Sequence, residues 1–97
     1  MYNNLDEVAA ANAANGLHWF EESSMAFFDT VLETELIDGQ WFITTEKHPD
    51  VSRTIGWRRR ASVRKVLPGG AVKTEGDFGR FEDVGDARLW LRMRHGV

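Results

Sequence analysis

Hydrophobic and polar positions alternate along this chain with two different rhythms, one near the helical repeat and one near two residues. Leu5, Val8, Ala9, Ala11 and Asn12 follow the helical spacing up to Ala14. Asn15-Gly16 then offers a stop where a positive φ is available. So short a helix is marginal alone and must dock to persist. Met25, Phe28, Val31 or Leu32, and Leu36 recur at the same spacing behind Glu21-Glu22-Ser23-Ser24, a run of acids and hydroxyl caps. This pattern predicts an amphipathic helix over 25–36 with its apolar stripe on the core, ended by Asp38-Gly39.

From there the rhythm changes. Trp41-Phe42-Ile43-Thr44-Thr45 is aromatic and β-branched, which suits a pleated, half-buried surface, and it reads as the first strand. His48-Pro49-Asp50 reads as a loop. The next β-prone stretch runs from about Thr54 to Leu67. Alternation puts Ile55, Trp57, Arg59, Ala61, Val63, Lys65 and Leu67 on one face, with Arg58, Arg60, Ser62, Arg64 and Val66 on the other. Pro68-Gly69-Gly70 is a hairpin signal before a last strand that starts at Ala71 and continues to Phe78 or Phe81, with bends at Gly76 and Gly79. Asp83 is placed to cap a final helix in which Val84, Ala87, Trp90 or Leu91 and Arg94 keep the helical period. Arg88, Arg92 and Arg94 suit the negative end of its dipole.

These elements predict one α+β domain over residues 1–97, in the order α-α-β-β-β-α: a three-stranded antiparallel sheet with helices packed on one face. The other sheet face is expected to be open, and function is expected there.

With 97 residues and a 42% hydrophobic composition, one core is affordable and two are not. The absence of cysteine excludes disulfides, thiolate metal sites and a cysteine nucleophile. The polar, acidic start lacks the basic and apolar pattern of a signal peptide, and no apolar run has the length of a membrane helix, so a cytoplasmic location is expected. The net charge of −3 hides an asymmetry: residues 1–50 carry −9 and residues 51–97 carry +6. Either the halves neutralise each other, or a basic face is offered to a partner.

Candidate chemistry is sparse. His18, His48 and His95 have no metal-motif spacing, so no metal or other cofactor is expected. Glu21-Glu22 are neighbours that do not face each other, which suits helix-terminal charges better than an acid/base pair. Ser23, Ser24, Ser52 and Ser62 lie in no nucleophile motif, and Gly69-Gly70 lacks the lysine and setting of a phosphate loop. A non-enzymatic protein without an evident small-molecule substrate is expected.

The strongest local signal is Trp57-Arg58-Arg59-Arg60-Ala61-Ser62-Val63-Arg64-Lys65. The arginine fork grips phosphate or carboxylate, so Arg58, Arg60, Arg64 and Lys73 form a candidate nucleic-acid track. Tryptophan and arginine are also enriched at protein–protein hot spots, which marks Trp57, Arg58, Arg59, Arg60, Arg64, Lys65 and Lys73 as candidate partner-binding residues. Trp57 is expected at the surface and Trp90 in the core.

Gly16-Leu17-His18-Trp19-Phe20, Met25-x-Phe27-Phe28, Trp41-Phe42-Ile43-Thr44-Thr45-Glu46, Ser62-Val63-Arg64 and Thr74-x-Gly76-x-Phe78 occur in that order. Together they resemble a family of small uncharacterised proteins of actinobacteria and their bacteriophages, over roughly residues 12–90. Ala61 departs from that pattern, which has an aromatic there. The resemblance brings no activity or catalytic residues. It implies a phage-type accessory protein in the host cytoplasm, of a kind that binds a host protein. With the open sheet face and Trp57 read from the residues, the expected function is non-enzymatic binding of that partner, or of a second copy, through this face. The alternative is a nucleic-acid-binding domain that uses the arginine-rich strand.

Overall fold

Asn4 takes an extended backbone and its side-chain oxygen accepts from the Glu7 amide (2.9 Å), which starts helix α1, Leu5–Ala14. The computed structural model describes residues 1–50, 52 and 54–97. A short helix α2, Glu22–Phe27, follows. The chain then runs through strands β1 (Val31–Leu32), β2 (Trp41–Pro49) and β3 (Trp57–Val66), a 3-10 turn at Pro68–Gly70, strand β4 (Val72–Glu75) and helix α3 (Val84–His95). Asp83 caps α3 by accepting from the Asp86 amide (2.8 Å), and Gly96 ends it in the left-handed region. Among the described residues, no helix is long and apolar enough to cross a membrane.

The protein is α+β with an antiparallel sheet, as its pattern predicts, but the sheet has four strands, in the order β1-β2-β3-β4. The fourth comes from the segment expected to continue the second helix. Helix α2 stops at Phe27, Asp29 turns the chain at φ +50, and Val31 and Leu32 pair with Thr45 and Thr44. Asp38-Gly39, both at positive φ, close a hairpin in which Ile37 and Trp41 exchange backbone hydrogen bonds (2.6 and 2.9 Å). Sheet pairing thus overrides a genuine helical period. The expected loop at His48-Pro49 is strand, since β2 continues to Pro49 opposite Trp57. The last strand ends at Glu75, and Phe81 rejoins the sheet as a single bridge to Ala61.

Both sheet faces are covered, which corrects the expected open face. On one side α3 brings Ala87 and Leu91 onto Trp41, Ile43, Ala61, Val63 and Phe81. On the other, Val8 of α1 packs on Phe42 and Val66, with Tyr2, Leu5, Trp19, Phe20, Leu36 and Val72 around them. The −3 chain can bury two apolar layers because β2 alternates Trp41 and Ile43 with Phe42. Buried Asn12 locks the α1 side: its Nδ2 donates to the Gly70 carbonyl (2.8 Å) and its Oδ1 accepts from the Trp19 amide (3.1 Å). Gly70 is required there, because a Cβ would lie 2.6 Å from the Asn12 nitrogen.

Candidate functional site

Strand alternation splits the arginine run between the two sides of the sheet. Trp57, Arg59 and Lys65 share the α3 side, and Lys73, opposite Lys65 in register, joins them. Arg58, Arg60 and Arg64 lie on the α1 side. Most of these cations already have partners. Arg58 stands 3.3 Å from Asp50 and 3.5 Å from Glu82. Arg60 donates to the carbonyls of Gly79 and Arg80 and sits 3.7 Å from Glu82. Arg59 donates to the carboxylate (2.7 Å) and carbonyl (3.0 Å) of Asp29. Lys65 lies over the Trp41 ring at 5.2 Å, and Lys73 is 3.8 Å from Glu75. Trp57 is half-buried beneath the Lys47 ammonium, 5.0 Å from its ring centre. The four cations of the nucleic-acid track therefore share no single open stripe. Asp29, Glu46 and Asp50 answer Arg59, Arg64 and Arg58, so the two charged halves do meet within one chain.

Arg64 is the exception in this set, because it is buried and still borders a cleft. Its side chain is 8% exposed, and Nη2 donates to Glu46 Oε1, a carboxylate only 1% exposed. Its Nε donates to Thr44 Oγ1 (2.9 Å) and its Nη1 to Thr74 Oγ1. Thr44 donates to the same carboxylate, and Ser62 donates to Glu46 Oε2 (3.0 Å) while accepting from the Gly79 amide (2.8 Å). A buried ion pair survives desolvation only when its remaining lone pairs and protons are satisfied, and these hydroxyls do that. The guanidinium is also flanked by two rings, Trp19 at 5.5 Å and Phe78 at 5.8 Å.

Above it opens a cleft of about 280 Å³. Trp19, Met25, Phe28 and Phe78 are its apolar walls, Arg64 and Thr74 belong to the sheet beneath, and Ser24 and Thr30 add hydroxyls. Trp19 is placed by the Asn12 bond to its amide and by edge-on contacts to Phe20 (4.8 Å) and Phe42 (5.5 Å). Beside the cleft, α2 ends in Phe27 and Phe28, packed edge to face at 5.0 Å and exposed by 82% and 55%. A larger hollow of about 600 Å³ is walled by Met1 and Tyr2 against the Lys65–Pro68 segment, and its one ionised side chain, Lys65, lies over Trp41.

No histidine lines the aromatic cleft, and its ionised pair is closed on itself. That arrangement holds a shape and offers hydrogen bonds. Among the described residues, no three His, Asp or Glu side chains are grouped to hold a metal ion.

Of the candidate set only Arg64 belongs to this cleft. Trp19, Met25, Phe28, Glu46, Thr74 and Phe78 were outside it, although a signal existed: each segment that carries the family resemblance contributes a residue to the cleft or to its ion pair. A family model described as a family of unknown function, DUF7447, matches residues 4–92. The chain belongs to this family. No curated protein and no solved structure matches it. The DUF7447 match runs from the cap of α1 to the last turns of α3, so it takes in every residue of the cleft. It agrees with the resemblance to an uncharacterised family.

Proposed function

We propose that this DUF7447 protein is a non-enzymatic binding protein that engages a partner protein through the aromatic cleft and the Phe27–Phe28 pair beside it. The observation that carries this reading is the exposure of those two phenylalanines against an apolar cleft with a fixed hydrogen-bonding group at its base. Water around such rings is released on docking, at roughly 25 cal/mol for each Å² of apolar surface buried. Aromatic and arginine side chains that need no reordering make efficient anchors.

The chemistry of the partner follows from charge. The segments that supply the cleft's rings, residues 19–30 and 76–78, carry Glu21, Glu22, Asp29 and Asp77 and no Lys or Arg, and the charge of Arg64 is already answered by Glu46. A segment with an apolar or aromatic anchor flanked by Lys or Arg is complementary to this surface. In the setting implied by the resemblance, the protein is a phage-type accessory protein in the host cytoplasm and the partner is a host protein. The covered sheet no longer supports docking on an open sheet face. Asp29, next to Phe28, binds Arg59 and approaches Lys47, so the half-buried Trp57 lies around the sheet edge from the aromatic pair. Nucleic-acid binding through Arg58, Arg60, Arg64 and Lys73 has less support, since those side chains are committed internally.

The test is a photo-activatable phenylalanine analogue placed at Phe27 or Phe28, and separately at Leu89 and Met93 on the outer side of α3, in cells that make the protein. Covalent capture of one protein from the first pair only, followed by binding of that purified protein, supports the reading. A cross-link to a second copy of this chain identifies self-association instead. Equal capture from all four positions contradicts the placement.

A further inference from the structure

We propose a second site, separate from the cleft, at which Arg80, Arg94 and Trp90 hold a phosphomonoester dianion carried on a hydroxylated small molecule. The three side chains line a hollow of about 290 Å³ together with Glu75 and Gly76. Arg80 lies with its guanidinium over two rings, 5.1 Å from the Trp90 centre and 5.4 Å from that of Phe81. Its backbone is fixed by Arg60, which donates to the Arg80 carbonyl (2.9 Å). Gly76 makes room for it: a Cβ there would lie 3.0 Å from Arg80 Nη1. Arg80 is therefore held in place by stacking, with its hydrogen-bonding fork left over.

Among the described residues, neither Arg80 nor Arg94 makes an ion pair or a side-chain hydrogen bond, in contrast to Arg58, Arg59, Arg60 and Arg64. Two unanswered guanidinium groups facing one hollow suit a compact, doubly charged oxyanion, because each fork can donate in parallel to its oxygens. A polyanion needs cations strung along a track, but Arg58, Arg60 and Arg64 of β3 are turned to Asp50, Glu82 and Glu46, and Arg88 and Arg92 of α3 lie outside the hollow. Glu75 adds a carboxylate to the same wall, 3.8 Å from Lys73, and it is an acceptor for a hydroxyl rather than for another anion. Two cations and one acceptor beside an indole match a sugar phosphate or nucleoside monophosphate.

The site is tested by following the backbone and indole N–H resonances of the ¹⁵N-labelled protein during titration with ribose 5-phosphate, inorganic phosphate and ribose. Saturable shifts of the Trp90 indole and of amides 75–80 are expected with ribose 5-phosphate, weaker ones at the same positions with phosphate, and none with ribose. Arg80→Gln and Arg94→Gln should each weaken binding by roughly tenfold or more, as expected for the loss of a charge-assisted hydrogen bond. Arg92→Gln, exposed on the same helix and outside the hollow, should leave it unchanged. Absence of saturable shifts, or shifts that persist in Arg80→Gln, overturns the site. So does tighter binding of an oligonucleotide with shifts spread over Lys47, Arg58 and Lys73. None of these outcomes depends on the partner-protein reading of the cleft.

Discussion

Arg64 reaches along the sheet to Glu46, 18 residues away in sequence, and the two form an ion pair that is almost completely shielded from water. A pair of this kind contributes little net stability, yet removing one partner strands a buried charge. Glu46→Ala is expected to cost roughly 3–5 kcal/mol in urea unfolding, and a double Glu46→Leu/Arg64→Leu variant much less than the sum of its parts. Additive costs would mean that the two side chains act independently.

The Asn12–Gly70 contact makes a comparison between glycines possible. Gly16 and Gly70 both have positive φ, but a Cβ meets nothing within 4 Å at Gly16 and lies 2.6 Å from the Asn12 nitrogen at Gly70. Gly16→Ala should therefore cost only left-handed strain, about 1 kcal/mol, while Gly70→Ala adds overpacking and should cost about 2–4 kcal/mol. Thermal or chemical denaturation of the two variants side by side measures the difference.

Leu91 is fully buried between α3 and the sheet. Leu91→Ala should destabilise the fold by about 2–5 kcal/mol, from lost transfer energy plus the cavity left behind. A much smaller cost would show that α3 packs loosely and that its side of the sheet is open after all.

Local signals located α1, α3 and the central parts of the long strands, because the Asn15-Gly16 stop, the Asp83 cap and the alternation through β2 and β3 act over a few residues, although β2 runs on through the loop expected at His48-Pro49. The segment 25–36 shows where such signals lose. Its apolar spacing is helical, but Val31 and Leu32 find sheet partners at Thr45 and Thr44, and nothing in the segment itself announces them. Asp38-Gly39 before Trp41 was the available clue: that dipeptide closes a hairpin as readily as it ends a helix, and a hairpin makes the preceding residues strand. The cleft was hardly legible for the same reason. Arg64 was visible as part of a basic run, but its carboxylate, its hydroxyl partners and its flanking rings come from five separate segments.

Phe27 projects into solvent and packs mainly on Phe28. Phe27→Ser should change the unfolding free energy by no more than about 0.5 kcal/mol, as for other surface substitutions. A large loss of stability would show that the aromatic pair serves the fold rather than a partner.

The most direct measurement is the affinity of the purified cross-linked partner for the wild-type protein and for Phe28→Ser, by titration calorimetry, with folding of both confirmed by their amide spectra. If the aromatic cleft is the docking surface, Phe28→Ser weakens binding by roughly thirtyfold, the loss of one hot-spot side chain. An unchanged dissociation constant in a folded Phe28→Ser protein contradicts it.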